Sequence, residues 1–212
     1  LGYHTEGLRD TYDVRVYLAP PEELRRKWKV KRDTSSRGYS EDEVLEELDK
    51  REPDSAQFIR PQERHADLVI KFMESESARS DNLDVQIVLR ESLDHPDLTP
   101  FLGGGDKGIA LNEDGPDPYI QIPGDIEHEH AEEIQEAIWE RLHFASHLRS
   151  ERLGQFTIGS DVKRSDTLAL VQLLVLYQMV TAKAAVSVGG EGARSDDNDA
   201  DEPQAQEEVG EP

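Results

Sequence analysis

The run TLALVQLLVLYQMVTAKAAV, residues 167–186, constrains the fold more than any other segment of this chain. Twenty residues this rich in Leu, Val and Ala belong in a bilayer or in a protein core. The length suits a membrane span. Gln172, Gln178 and Lys183 interrupt the run, however, and Arg164 and Asp166 stand at its start. The reading is a buried core helix, and the rest of the chain has to supply its cover.

That cover must come from a chain of 212 residues, 35% of them apolar and 33% charged. The length allows one ordinary domain or two small ones. VRVYL (14–18) alternates and is rich in β-branched residues, so it reads as a strand. ADLVIKF (66–72) is a continuous apolar run suited to a buried strand. LDVQIVLR (83–90), GIALN (108–112) and PYIQIPG (118–124) read as further strands, with the turn EDGPDP between the last two. Three helices are expected besides the apolar one. APPEEL places Pro20 and Pro21 before Glu22 and Glu23, with acids at the positive end of the dipole. SEDEVLEEL offers Ser40 as N-cap and Glu43 for a capping box, with Val44, Leu45 and Leu48 as the apolar stripe and Pro53 as the stop. From Asp125 onward Ile134, Ala137, Ile138, Arg141 and Leu142 follow a helical period around Trp139. GQFTIGSDVKRSD (154–166) reads as a loop. Beyond Gly189 the sequence is acidic and nearly free of apolar residues, so 189–212 reads as a disordered tail.

The formal charge is −22, from 46 acidic and 24 basic residues. Such a surface repels nucleic acid and anionic membranes, so neither is expected as a partner. It suits solubility in molar salt, where repulsion is screened, and a halophilic source is expected. There is no Cys, which excludes disulfides, thiolate metal sites and Cys nucleophiles. The N-terminus lacks a basic region followed by an apolar run, and a cytoplasmic location is expected. Homo-oligomerisation stays open.

Against this acidity, residues 25–37 hold seven basic side chains and one acid, Asp33. On a helix over 22–33, Leu24 and Trp28 share an inward face, and Arg25, Lys29 and Arg32 share the next one. Arg37 follows a short polar turn, TSS, and can swing back toward the same place. Like charges on one face repel, and an anion would offset that cost. Guanidinium groups donate in parallel pairs to phosphate, and phosphoryl transfer calls for cations around phosphate oxygens. By charge alone, a solvated basic face paired with the acidic surface fits equally well.

The segment VRVYLAPPEELRRKWKVKRDTSSRGYSEDEVLEELDKREPDSAQFIRPQERHADLVIKF resembles the phosphoribulokinase branch of the phosphoribulokinase/uridine kinase family. PPEE, WKVKRD, RGY, REPDSAQFIRPQ and HADLVI come in the family's order and spacing. IWERLHFASHLRSERLGQFTIG and LALVQLLVLYQMVTAKAAV resemble C-terminal segments of the same proteins, so the likeness spans about 1–190. The resemblance implies ATP- and Mg²⁺-dependent phosphorylation of D-ribulose 5-phosphate at its 1-hydroxyl, giving ribulose 1,5-bisphosphate, the acceptor for carbon dioxide fixation. It places Lys29 and Arg32 near the transferring phosphoryl group and Asp33 at an acidic position of the site. Arg37 would grip the sugar 5-phosphate, and Arg60 and Gln62 would lie near the substrate.

The nucleotide cradle of that chemistry, G-x-x-x-x-G-K-[ST], does not occur in the 212 residues. GGGDKG (103–108) lacks its spacing and its Ser/Thr and reads as a turn. The expectation is therefore the C-terminal part of such an enzyme, beginning after the Mg-associated acidic strand and inactive alone. The fold expected is α/β: part of a mostly parallel kinase sheet over 1–80 with the basic lid helix, a smaller mixed section over 81–188, and the tail. Two other readings stay open, a kinase for another acceptor such as uridine, and a regulatory or assembly domain that lost the nucleotide site. Elsewhere, His128 and His130 stand two apart, which points them to different helix faces. His143 and His147 have metal-ligand spacing without the Glu of H-E-x-x-H, and a packing role beside Trp139 and Phe144 is the reading.

Overall fold

The structure is a computed structural model, which describes residues 2–75, 83–103, 105, 108–158 and 161–187. The tail and parts of the 103–108 turn lie outside these residues. The chain is α/β, as expected. A five-stranded sheet runs β1 (Val16–Leu18), β2 (Leu68–Glu74), β3 (Leu83–Leu89), β5 (Tyr119–Ile122), β4 (Ala110–Asn112) from edge to edge. Only β1 and β2 pair in parallel; β2–β3, β3–β5 and β5–β4 are antiparallel. The parallel pair needs a crossover, and two helices make it, α2 (Glu22–Arg37) and α3 (Glu41–Asp54). A short helix, α1 (Glu6–Arg9), precedes β1. The helices α4 (His128–Arg141) and α5 (Asp166–Ser187) follow the sheet in sequence.

One face of the sheet carries Leu68, Ile70, Val85, Ile87, Ile120 and Ile122. These join Ile134, Ile138 and Leu142 from the α4 region and Leu170, Leu173 and Leu174 from α5 in one core. Strands β2 and β3, on either side of residue 80, pair along their whole lengths, so this core spans both sections of the chain. The apolar helix is half buried. By length and composition it could cross a membrane, but its Leu stripe meets α4 and the sheet. The opposite sheet face is smaller and holds Tyr3, Ala66, Val69 and Val88.

At the join of β1 and β2 lies a buried ion pair. Asp67 accepts from the Arg15 backbone N–H at 2.6 Å, the Arg15 guanidinium at 3.1 Å and the Ser92 hydroxyl at 2.9 Å. A carboxylate with no solvent exposure is tolerated when each oxygen is met in this way.

Several local expectations are corrected. The 154–166 loop contains a hairpin, β6 (Gln155–Ile158) paired with β7 (Asp161–Arg164). Its strands are short and largely exposed, so no apolar alternation announces them. Gly154 anchors it at φ 75°, where a Cβ would sit 2.3 Å from the Ser165 carbonyl oxygen. Pro53 does not stop α3, which runs to Asp54 and widens into a π-turn over Ser55–Ile59. The TSS turn is helical. Thr34 and Ser35 donate their hydroxyls to the carbonyls of Val30 and Lys31 one turn back, at 2.8 and 2.6 Å, which satisfies them inside the helix. Trp28, expected to pack inward, is 42% exposed and lies edge-on to Phe72 at 5.9 Å. The Ser40–Glu43 capping box forms as expected.

Candidate anion site on the basic helix

The basic residues are ordered by the way α2 begins and ends. Pro21 stands at its N-cap with Glu22 and Glu23 in the first turn. Gly38 ends it in the left-handed region at φ 74°, a conformation that costs a residue with a Cβ. Between these ends only Leu24 and Asp33 are buried. A helix with so little apolar anchorage depends on charge.

Six of the seven cations, all but Lys31, divide into two groups. Arg25, expected to join the anion-facing row, instead clamps Glu22 through Nε and Nη2, both at 2.7 Å. Arg26 reaches Asp49 on α3 at 2.6 Å, and Lys27 reaches Glu74 at the end of β2 at 2.7 Å. The second group converges on one carboxylate. Lys29 Nζ lies 2.7 Å from Asp33 Oδ2, and Arg32 Nε lies 2.7 Å from Asp33 Oδ1. Arg37 Nη1 approaches Asp33 Oδ1 at 3.4 Å. Hydrogen bonds from Arg32 and then Lys29 hold the Asp33 carboxyl far below the usual aspartate range.

Burial within the cluster is asymmetric. The Asp33 side chain is 4% exposed, Lys29 is 27% exposed, and Arg32 and Arg37 are each 55% exposed. The anion is inside and the guanidinium groups are at the surface, with N–H donors left for a ligand. The spacing 29–33–37 places both partners one turn from Asp33 on one stripe. That spacing is present in the sequence, whereas the row expected from charge alone is Arg25, Lys29 and Arg32.

The remaining expected residues lie elsewhere. Arg60 pairs with Glu52 at 2.5 Å. Its charge acts together with that of Arg25 on the Tyr17 hydroxyl, so it belongs with the first half of α2. Arg25 and Arg37 are twelve residues apart, about 18 Å along the helix. Gln62 is buried with both ends of its amide engaged. It accepts from the Tyr3 backbone N–H at 3.1 Å and donates to the Phe58 carbonyl at 2.6 Å. Here it tethers the N-terminal segment, and burial pushes the Tyr3 hydroxyl up to about 12.

Among the described residues, no group of three or more His, Asp or Glu side chains converges to hold a metal. His128 contacts Glu132 and Asp166 at the surface, and His130 contacts Glu133. His143 stacks edge-on with Phe144. The one carboxylate at the cation cluster, Asp33, is committed to its three partners. These residues do not make a Mg²⁺ site, and no step through the metal or through ATP is derived from them.

Comparison with known proteins places this geometry in context. Residues 1–78 match the model of the Phosphoribulokinase / Uridine kinase family. The chain is 33% identical over 93 residues to a phosphoribulokinase of Synechocystis sp., covering 42% of this chain and 28% of that protein. It is 33% identical over 92 residues to the chloroplastic phosphoribulokinase of Arabidopsis thaliana, covering 42% and 23%. A uridine kinase of Staphylococcus carnosus is 41% identical over 64 residues, covering 30% and 31%. The chain thus spans under a third of the length of each of these relatives. The segment from the N-terminus through β2, with the basic helix inside it, is therefore the part of the chain that is similar to the Phosphoribulokinase / Uridine kinase family.

Proposed function

We propose that this chain supplies the acceptor-binding lid of an ATP-dependent kinase of phosphoribulokinase type, acting on D-ribulose 5-phosphate. The observation that carries this reading is the convergence of Lys29, Arg32 and Arg37 on one carboxylate, Asp33, which puts three cations within reach of a single small anion. Arg37, exposed and at the helix end, holds the sugar 5-phosphate through paired N–H donors. Lys29 and Arg32 sit one to two turns back and neutralise charge that builds on phosphoryl oxygens during transfer. ATP and Mg²⁺ supply the phosphoryl group and its countercharge, and residues other than this cluster hold them. The 212 residues contain no P-loop, so by themselves they transfer no phosphoryl group.

Isothermal titration of the 212-residue chain with ribulose 5-phosphate, ribulose and uridine tests the assignment. Ribulose 5-phosphate is expected to bind, and Arg37→Ala to weaken it about 10- to 100-fold, the value of a charged hydrogen-bonded contact. Uridine bound in preference would move the chain to the uridine kinase branch, which the Staphylococcus carnosus relative supports as the second reading. Binding of neither would leave the assembly-domain reading. A Mg²⁺-dependent, ribulose 5-phosphate-dependent release of ADP by this chain alone would overturn the statement that it is inactive in isolation.

A further inference from the structure

The cluster around Asp33 carries an inference furthest. A carboxylate that receives three cations already occupies the place an anionic ligand would take. We propose that Asp33 is an internal competitor for the phosphate site: it stands in for phosphate when the site is empty and lowers the affinity for free inorganic anions. The inference rests on reading Lys29, Arg32 and Arg37 as a phosphate site.

Three features support competition over a merely structural role. First, the contacts are graded. Lys29 and Arg32 are held at 2.7 Å, whereas Arg37, as exposed as Arg32, stands off at 3.4 Å. Arg37 is the cation that exchanges, and the other two stay. Second, the local charge is +2 with Asp33 ionised, from three cations and one carboxylate. A phosphate dianion that joins them does so beside a fixed negative charge, and neutralising that charge removes the repulsion. Third, the carboxyl is held far below the usual aspartate range by Arg32 and Lys29, so it stays ionised and competes across the physiological pH range.

The consequence is selectivity. A bare phosphate has only the cluster to bind and meets the competitor directly. A phosphate that is part of a larger polyol has additional contacts to offset the loss. Asp33 thus biases the site toward phosphomonoesters over the free phosphate that surrounds them, which is discrimination by an introduced repulsive element.

The probe is inorganic phosphate, titrated at constant ionic strength into the 212-residue chain and its Asp33→Asn, Asp33→Glu and Arg37→Ala variants. Asp33→Asn is expected to bind phosphate on the order of tenfold more tightly, the size of one nearby charge removed. Asp33→Glu is expected to keep the weak binding of the parent, and Arg37→Ala to weaken binding in either background. Unchanged or weaker binding by a folded Asp33→Asn overturns the proposal. If that variant unfolds, the unmodified chain decides. Phosphate added to it is expected to move the Arg37 Nε–H resonance in a ¹⁵N spectrum well before that of Arg32, and the reverse order overturns the proposal. The two readings fail separately. Ribulose 5-phosphate that binds no better than uridine sinks the acceptor assignment and leaves the competitor standing. Tight ribulose 5-phosphate binding through Arg37, with no gain from Asp33→Asn, sinks only the competitor.

Discussion

Helices α2 and α5 lie in the same chain and are ordered by opposite means. In α5, Leu170, Leu173 and Leu174 are buried against α4 and the sheet, and the helix would lose its place without them. In α2, one Leu and one Asp are buried, and the helix is tied to its surroundings by Arg26 to Asp49 and Lys27 to Glu74. Apolar burial is strong, non-directional and indifferent to salt. Exposed ion pairs are weak, geometric and screened. The difference teaches where each helix can serve. The packed one defines the fold. The charged one can release and re-form its contacts at little cost, as the closing lid proposed above would require.

The contrast can be broken most forcefully in α5. Leu173→Ala removes a fully buried side chain and is expected to cost about 2–5 kcal/mol in urea unfolding, because the cavity collapses only in part. Its effect on ligand affinity, measured where the variant is still folded, should be small. The reverse pattern is expected for Arg37→Ala, which weakens ribulose 5-phosphate binding while the thermal midpoint barely moves, since Arg37 is half exposed and Asp33 keeps its closer bonds to Lys29 and Arg32. Between these lies Ser40→Ala, which removes the capping box of α3 and should cost about 1 kcal/mol in the same unfolding experiment.

Acid sharpens the comparison further. The Asp33 carboxyl is depressed in the folded chain, so its stabilisation is present above the ordinary aspartate range, about pH 4. It is lost only as pH falls through the lowered value. The difference in thermal midpoint between the parent and Asp33→Asn should therefore hold constant from neutral pH to about pH 4 and shrink below it. A gap that closes already near pH 6 would show that Asp33 is not held by its cations. The smallest effect is expected from Lys27→Ala, whose pair with Glu74 is exposed at both ends. Its cost in dilute buffer should be the smallest of the set and should vanish in molar salt. The charge of −22 predicts that the same salt raises the midpoint of every variant by screening self-repulsion.

What the sequence revealed follows the same division. The apolar helix, the strands at 68–74 and 83–89 and the Ser40 cap were legible because burial and capping leave periodic or positional marks. The hairpin at 155–164 was not, because exposed strands carry no alternation. Sheet order was not legible either, since the antiparallel pairing of β3 with β5 depends on register and not on composition. At the site, Lys29, Arg32, Asp33 and Arg37 were all singled out, and the structure brings these four together. Their arrangement is not legible because charge counting sees seven cations and does not see that one buried carboxylate gathers three of them around itself. Arg25 departed for Glu22 because a Glu three residues earlier on the helix is closer than any ligand. Gln62 could not be read as a tether, because its partners Tyr3 and Phe58 supply only backbone groups.

The parallel pairing of β1 with β2 has a kinetic consequence. Val16 meets Leu68 only after the chain has looped through two helices, whereas β2 and β3 are near neighbours in sequence. Closing the longer loop costs more entropy, and β1 has three residues of ladder to offset it. The strand and the basic helix that follows it should therefore be the last part of the sheet to assemble and the first to exchange its amide hydrogens. The Arg15–Asp67 pair fastens that unit to β2, so its opening should be seen as exchange in β1 and α2 together, ahead of β2 and β3.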